Sequence, residues 1–153
     1  MTSSNLPVLT LRRNEERRLA AGHLWVYSNE VDTRKTPLSG FEPGSLVVIQ
    51  SSVGKTLGSG FVNPHSVICA RLLTRRPRTE IDAAFFERRL RSALQLRESL
   101  FDQPCYRLVY GESDGLPGLV IDRYGDVLVV QITTAGREAV RDVLLGVIDK
   151  LLS

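Results

Sequence analysis

The stretch that most constrains the fold is residues 107–131, RLVYGESDGLPGLVIDRYGDVLVVQ, because turn-forming segments cut it into three short apolar runs. The first run, residues 107–110, leads into the loop 111–118, whose Asp-Gly and Pro-Gly pairs favour tight turns. Residues 119–124 form the second run, and Gly-Asp after it has the residue types of a two-residue hairpin turn. Residues 127–133 are almost all apolar or β-branched, which predicts a strand buried on both faces.

Helical patterns flank these three predicted strands. Thr79 is a predicted N-cap, with Asp82 in the capping-box position. An amphipathic helix is predicted over residues 80–101, with its apolar face at Phe86, Leu90, Ala93, Leu94, Leu100 and Phe101. A second helix is predicted over residues 139–152, with its core face at Val140, Val143, Leu144, Val147, Ile148 and Leu151. The second half therefore reads as helix, three strands and helix.

The first half predicts a small, partly closed β-barrel. It has short apolar runs at residues 8–11, 45–50, 55–62 and 67–74. A short helix is predicted at residues 14–21, capped by Asn14 and ended by Gly22. Gly58 and Gly60 predict a bulge, a barrel corner or the close approach of another backbone. The fold class is therefore α+β, with domains at 1–78 and 79–153 joined by the linker-like Arg75-Arg76-Pro77-Arg78.

Charge is unevenly distributed between the two halves. Residues 1–78 carry 11 Lys and Arg against 5 Asp and Glu, whereas residues 79–153 carry 9 against 12. Such an asymmetry predicts that the first half meets a polyanion. Of the 20 basic residues 17 are Arg, which suits phosphate recognition and base stacking. An Arg-rich genome would explain the choice of Arg but not the asymmetry.

Several classes of protein are excluded or disfavoured by composition. No apolar run approaches the roughly 20 residues that a membrane span needs, and the first residues lack a secretory pattern. Cys69 and Cys105 form no CxxC pair, and with His23 and His65 they give no zinc spacing. The expectation is a cytoplasmic protein without a metal site or a membrane partner.

The central stretch closely resembles a known family, the bacterial class I S-adenosylmethionine-dependent rRNA large-subunit methyltransferases of the 5-methylcytosine type with an N-terminal PUA domain. Their pattern runs R-L-x-x-G-E-x-D-G-L-P-G-L-x-x-D-R-Y. The matching residues here are Arg107, Leu108, Gly111, Glu112, Asp114, Gly115, Leu116, Pro117, Gly118, Leu119, Asp122, Arg123 and Tyr124. The resemblance implies a small middle α/β domain, incomplete in this chain, after an N-terminal PUA-like β-pseudobarrel.

The first half resembles the PUA domain of the same family, which implies contact with RNA. The matching pieces are Gly22-His23, Trp25-Val26, Ser28-Asn29-Glu30, Gly60, Asn63-Pro64, Ser66 and Arg71. In the family, a Rossmann-like catalytic domain follows the middle domain and uses S-adenosylmethionine. We expect that domain to be absent here, so that this chain alone binds no cofactor, carries no catalytic residue and transfers no methyl group.

Eight residues form the predicted phosphate-contacting set. They are Arg12, Arg13, His23, Lys55, Arg71, Arg75, Arg76 and Arg78. A solvated basic face is the alternative for the arginines and the lysine, and a structural or solvated role is the alternative for His23 and His65. Trp25 and Tyr27 could stack on bases, or could pack in a core or an interdomain seam.

A second candidate site lies in the acidic loop. The resemblance implies that Glu112, Asp114 and Arg123 face the substrate pocket of the full protein. The acids could instead brace the turns, and a cation site including Asp122 and Asp126 is a third reading, although their spacing does not fit a calcium loop.

Neither cysteine maps onto the family's nucleophile, which lies in the catalytic domain; Cys69 is expected in the core, and Cys105 is expected to be a small apolar residue at the start of a strand. Residues 58–63 lack the third glycine and the following helix of a cofactor loop.

Three functions remain open at this point. The preferred one is the RNA-binding and substrate-positioning region of a 23S rRNA cytosine-C5 methyltransferase, with large-subunit rRNA and the missing catalytic domain as partners. The second is a free-standing RNA-binding adaptor. The third is an oligomerisation module, for which an exposed strand edge would permit a homodimer.

Overall fold

The computed structural model describes residues 5–76 and 78–153, which separate into two compact units between Glu80 and Ile81. The elements of the first unit are β1 (Val8–Thr10), α1 (Glu16–Ala20), β2 (Trp25–Tyr27), β3 (Leu46–Gln50), β4 (Thr56–Val62) and β5 (Ile68–Thr74). Those of the second unit are α2 (Ala83–Leu100), β6 (Cys105–Tyr110), β7 (Leu119–Tyr124), β8 (Val127–Ile132), α3 (Ala135–Ala139) and α4 (Arg141–Leu152). The element α3 was not predicted.

The first unit is a curled sheet with the strand order β1-β3-β4-β5-β2. β1 runs parallel to β3, and the remaining pairs are antiparallel. The segments that follow β1 and β2 meet in an antiparallel bridge between Leu11 and Val31. Arg12 N donates to Glu30 O at 2.8 Å and Asp32 N donates to Thr10 O at 2.9 Å, so both sides of the bridge are hydrogen-bonded. The sheet is therefore a half-barrel, in agreement with the predicted barrel.

Two glycines allow β4 and β5 to approach closely. A Cβ at Gly60 would clash with the carbonyl oxygen of Arg71, and a Cβ at Gly58 would clash with that of Thr74. Gly58 also has a φ of +152°, and the β4–β5 register shifts between Ser59 and Gly60. Of the alternatives predicted for these glycines, the structure shows the close approach of another backbone together with a bulge-like register shift.

The core of the first unit lies inside the curled sheet. β3 alternates, so that Val47 and Ile49 are fully buried while the residues between them are half-buried. Val26 and Cys69 join this core with no exposed surface. Burial raises the pKa of the Cys69 thiol to about 12, so this cysteine is a packing residue rather than a nucleophile.

The start of α1 differs from the prediction. The helix begins at Glu16 with Glu15 at the N-cap position, and Asn14 has a φ of +70°. Asn tolerates the left-handed region better than most residues, so Asn14 forms a turn before the helix rather than its cap. Gly22, with a φ of +109°, follows the helix as expected.

The second unit is an antiparallel sheet, β6-β7-β8, with α2 and α4 packed together. Its order of helix, three strands and helix matches the sequence pattern, with α3 added before the last helix. Buried residues of α2 are Phe85, Phe86, Leu90 and Ala93. Leu100 and Phe101, which were predicted to face the core, are 65% and 50% exposed because the helix ends at Leu100.

The cap of α2 is Asp82 and not Thr79. An oxygen of the Asp82 carboxylate accepts the Phe85 backbone N–H at 2.8 Å, which satisfies one of the free donors at the helix start. Thr79 Oγ1 instead donates to Arg76 O at 3.1 Å. The capping-box prediction was therefore wrong by three residues, because Glu80 and Ile81 are not helical.

β8 is not buried on both faces, contrary to the prediction. Its exposure alternates along the strand, with Val127 and Val129 61% and 44% exposed and Leu128 and Val130 partly buried. Among the described residues the other face of β8 adjoins α4, where Leu145, Ile148 and Leu152 line a cleft with it. Val143, predicted as core, is 43% exposed because it lies on the outer side of α4. An apolar composition alone did not show which face the fold covers.

Candidate nucleic-acid interface

The edge strand β2 presents two aromatic side chains away from the core. Because side chains alternate along a strand, Val26 enters the core while Trp25 and Tyr27 lie on the opposite face. Both aromatic residues are half-buried, and their ring centroids are 6.5 Å apart with an interplanar angle of 75°. Of the alternatives left open for these two residues, this placement does not favour packing inside the barrel core, and base stacking stays a prediction.

The guanidinium group of an arginine lies over each of these rings. The guanidinium carbon of Arg18, from α1, lies 4.9 Å from the Tyr27 ring centroid, and that of Arg71, from β5, lies 5.6 Å from the Trp25 centroid. Trp25 and Arg71 are also direct partners in the β2–β5 register. Such distances fall within the range of cation–π attraction. We call these four residues, Arg18, Tyr27, Trp25 and Arg71, the aromatic–arginine row.

A buried carboxylate fixes one end of the row. Glu30 Oε1 accepts Arg18 Nη1 at 2.8 Å, and Glu30 Oε2 accepts the Tyr27 backbone N–H at 2.8 Å. The side chain of Glu30 is 9% exposed, whereas that of Arg18 is 41% exposed. The hydrogen bond to Glu30 raises the pKa of Arg18, so its charge is held at every accessible pH. Sequence analysis missed Arg18, because nothing local links α1 to the face of β2.

Arg71, Arg75 and His23 lie around the same segment between α1 and β2. The Arg75 guanidinium donates to Leu19 O and, at 3.0 Å, to His23 O, which places a cation at the carboxyl end of α1. His23 is exposed, and Leu72 N donates to Leu24 O at 2.8 Å. Arg75 is therefore partly engaged in structure, whereas His23 is accessible.

The remaining predicted phosphate contacts are spread over the first unit. Arg12 donates through Nε to Val31 O at 3.2 Å and remains exposed. Lys55 lies in the β3–β4 turn, a hairpin that includes neither β2 nor β5. Arg13, Arg76 and Arg78 are exposed, and Pro77 between the last two lies outside the described residues. The structure thus gathers part of the predicted set near the row and leaves Lys55 elsewhere.

The acidic loop of the second unit is folded against α2. A 3-10 turn spans Gly111–Asp114, and Gly115 follows with a φ of +67°. Both oxygens of Asp114 accept from the Arg97 guanidinium, at 2.6 and 2.8 Å, and one also accepts Tyr110 N at 2.7 Å. The Asp114 side chain is 7% exposed. These contacts favour the interpretation that Asp114 stabilises the conformation of the loop.

Two more arginines hold the same loop. Arg89 of α2 donates to Gly115 O, and Arg137 of α3 donates through Nε to Pro117 O at 2.8 Å. Arg137 has no exposed surface and lies 5.1 Å from the Phe86 ring centroid. Burial lowers the pKa of Arg137 to about 9, with the positive charge of Arg89 acting in the same direction. Sequence analysis missed these arginines, although Arg89 and Arg97 sit about two turns apart on α2.

The residues of the second predicted set lie at different points of the second unit. Glu112 is half-buried in the loop, whereas Arg123 lies at the far end of β7, about 13 Å from Leu119 along the strand. There Arg123 donates to Gly125 O and Tyr106 Oη, each at 3.1 Å. Asp122 pairs with Arg107 at 2.8 Å on the outer side of the sheet, and the hydrogen bond from Arg107 lowers the pKa of Asp122. The facing of Glu112 and Arg123 towards a substrate pocket stays a prediction.

Two further observations concern the described residues. Within 5–76 and 78–153, no three acidic, histidine or cysteine side chains are grouped so that they could hold a metal ion. None of the helices in these ranges has the length and apolar character needed to cross a bilayer. Cys105 is exposed at the start of β6.

Known proteins resemble this chain at the level of sequence and of fold. Residues 9–75 match the family model described as PUA-like domain. The chain is 40% identical over 146 residues to ribosomal RNA large subunit methyltransferase I of Cronobacter sakazakii, a match covering 94% of this chain and 36% of the relative. The enzyme of the same name from Klebsiella pneumoniae is 38% identical over 154 residues, covering 99% of this chain and 38% of the relative.

A solved structure shares the fold. It is a Streptococcus mutans protein described provisionally as an S-adenosylmethionine-dependent methyltransferase, with a TM-score of 0.80 and 16% identity over 95% of this chain and 38% of that chain. The chain spans little more than a third of the length of these proteins. The match at residues 9–75 confirms the PUA-like part of the predicted resemblance, and the chain is similar over nearly its whole length to a part of ribosomal RNA large subunit methyltransferase I.

Proposed function

We propose that this chain is the RNA-binding and substrate-positioning region of a methyltransferase that modifies large-subunit rRNA. The observation that carries the proposal is the 40% identity over 146 residues to ribosomal RNA large subunit methyltransferase I. The PUA-like match at residues 9–75 and the excess of basic residues in the first half support an RNA-binding role for the first unit. The resemblance of residues 107–124 to the 5-methylcytosine family supports cytosine C5 as the methylated atom.

The two units have different roles in this proposal. The first unit binds phosphates through exposed arginines, which positions the RNA without reading its sequence. The second unit contributes the loop 111–118, whose conformation is fixed by hydrogen bonds from Arg89, Arg97 and Arg137. A loop held in this way loses little conformational entropy when a substrate docks against it. The chemistry, including the use of S-adenosylmethionine, belongs to a catalytic domain of a longer cytoplasmic protein.

RNA binding by the chain itself is the first test. Fluorescence anisotropy of a labelled large-subunit rRNA fragment should show saturable binding that weakens steeply as salt is raised, because phosphate neutralisation releases counterions. Arg71→Glu combined with Arg75→Glu should weaken this binding, whereas Arg88→Glu, an exposed change on α2, should have little effect. If the double change alters the RNA affinity no more than the Arg88→Glu control does, the basic surface is contradicted. If the chain binds no RNA at all, the proposed function is contradicted.

The finer assignment needs separate measurements. Bisulfite sequencing of large-subunit rRNA from a strain lacking the gene should reveal a cytosine that has lost protection, since 5-methylcytosine resists conversion. Calorimetric titration of this chain with S-adenosylmethionine should give no binding heat, and a clear isotherm would place a cofactor site within the chain. A homodimer stays a prediction, which light scattering over a range of concentrations tests.

A further inference from the structure

The aromatic–arginine row has a composition that core packing does not require. Its two rings lie on the face of β2 opposite to the core residue Val26, and both remain half-buried. Aromatic rings are costly to leave partly exposed, and their retention on a surface is typical of binding sites. The guanidinium groups of Arg18 and Arg71 lie over these rings at 4.9 and 5.6 Å. The row thus combines flat apolar surfaces with two positive charges.

The charge of the row favours a nucleic acid over an apolar protein surface. Glu30, the acid that contacts Arg18, has a side chain only 9% exposed and lies beneath the row. Arg75 and the exposed His23 lie beside it, around the segment between α1 and β2. The carboxylate of Glu30 is thus far less accessible than the guanidinium of Arg18 that it pairs with. Aromatic rings and guanidinium planes are the surfaces on which proteins stack bases of RNA.

Such a surface suits single strands rather than duplexes. In an A-form helix the bases are stacked on one another and the major groove is too narrow for side chains, so ring faces are out of reach. In a single strand the bases can be splayed out and stacked on aromatic side chains while the phosphates meet basic groups. The two rings are 6.5 Å apart and differ in plane by 75°, so they offer two separate faces rather than one continuous stack.

We infer that the aromatic–arginine row is a stacking site for unpaired bases of single-stranded RNA, with Arg18 and Arg71 contacting the adjacent phosphates. The inference rests on the proposed function and adds to it the strand type and the residues that meet the bases. It distinguishes this face from the dispersed basic residues such as Lys55, which contribute charge only. The site recognises any base, because every base has a π-face.

The unmodified chain provides the first experiment, because Trp25 is its single tryptophan. A short oligouridine should quench Trp25 emission saturably, whereas inorganic polyphosphate and an RNA duplex should bind without comparable quenching. Binding itself is followed in parallel by anisotropy with a labelled rRNA fragment. RNA binding that leaves Trp25 emission unchanged would overturn the stacking site and leave the proposed function intact. It would reassign the row to another kind of partner, such as a protein. No RNA binding at all would overturn both.

Substitutions at Tyr27 separate the contribution of its ring to RNA binding from that of the charges around it. Tyr27→Leu should weaken oligouridine binding about fivefold or more, while Tyr27→Phe should stay within about twofold, since one stacked base contributes roughly that much. The affinity for polyphosphate should be the same in both variants, which shows that each is folded and charged as before. Equal oligouridine affinities for Tyr27→Leu and Tyr27→Phe would overturn the inference. A Tyr27→Leu protein that loses polyphosphate binding as well would count against it, because the ring would then be a folding residue.

Discussion

In the first unit, Arg18 and Arg71 lie over aromatic rings on the outside of an edge strand, whereas in the second unit Arg89, Arg97 and Arg137 turn inward and fix a loop. Arg18 has a side chain 41% exposed, and Arg137 has no exposed surface. The outward Arg18 donates to the Glu30 carboxylate beneath it, while the inward arginines donate to Pro117 O, Gly115 O and the Asp114 carboxylate. The same residue type therefore lies over partly exposed rings in one unit and fixes a loop in the other. Composition counts both kinds alike, and only their contacts separate them.

Removing Arg137 is expected to have the largest effect. Arg137→Ala leaves Pro117 O without its donor and opens a cavity beside Phe86, so the free energy of unfolding should fall by about 3 kcal/mol or more. Arg141→Ala is the control, because its pair with Glu138 is exposed on both sides and is worth little. Chemical denaturation followed by circular dichroism measures both. If folded Arg137→Ala protein lost RNA affinity, the assignment of Arg137 to local rigidity alone would be contradicted.

A smaller loss is expected at the loop carboxylate. Asp114→Asn removes a nearly buried, two-point contact with Arg97 and should lower the free energy of unfolding by about 2 kcal/mol. Asp126→Asn, on the exposed β7–β8 turn, should leave stability nearly unchanged. The same denaturation assay compares them. Equal, negligible losses would mean that Asp114 does not brace the loop.

The outward arginines should show the opposite pattern. Arg71→Gln should lower RNA affinity about fivefold near physiological salt and reduce the salt slope by about one phosphate contact. Loss of its cation–π contact with Trp25 should by itself lower the free energy of unfolding by about 1 kcal/mol. Anisotropy titrations at several salt concentrations, with denaturation alongside, measure both quantities. A large stability loss with unchanged RNA affinity would place Arg71 with the inward group.

The smallest expected effect concerns pH. The hydrogen bond from Arg107 lowers the pKa of Asp122, so the ionised carboxylate is favoured in the folded chain. A carboxyl group with a lowered folded pKa adds stability above its usual pKa, and this contribution is lost as pH falls through the lowered value. NMR titration of the Asp122 carboxyl should give a pKa below the usual value, and Arg107→Gln should return it towards that value. An Asp122 pKa that stays the same in Arg107→Gln would show that the pair with Arg107 does not lower it.

Local sequence patterns were sufficient for many elements. β3, β4 and β7 begin and end within a residue of their predicted bounds, because alternation and flanking glycines are local signals. The backbone contact at Gly60 was also foreseen from a glycine inside a strand. Helix starts were less certain, since both Thr79 and Asp82 can cap and only the backbone decides between them. Asn14 was predicted as a helix cap for the same reason, because its residue type suits a cap and only its backbone conformation shows a turn.

Contacts between elements that are distant in the chain could not be predicted from local sequence patterns. Nothing near Arg137 indicates that it reaches Pro117, 20 residues earlier, and nothing near Arg18 indicates Tyr27. For the same reason the predicted phosphate contacts, chosen by charge, included Arg75, which is engaged with the carbonyls at the end of α1. The apolar run of β8 could not reveal that Val127 and Val129 face outward. Each of these depends on tertiary packing rather than on a local pattern.

The position of Arg75 has a structural consequence. Its guanidinium ties the residue that follows β5 to Leu19 O and His23 O, at the end of the short helix α1. These hydrogen bonds therefore couple the end of β5 to the carboxyl end of α1. Since α1 also carries Arg18, which lies over the Tyr27 ring, this one short helix links the end of β5 to the aromatic–arginine row.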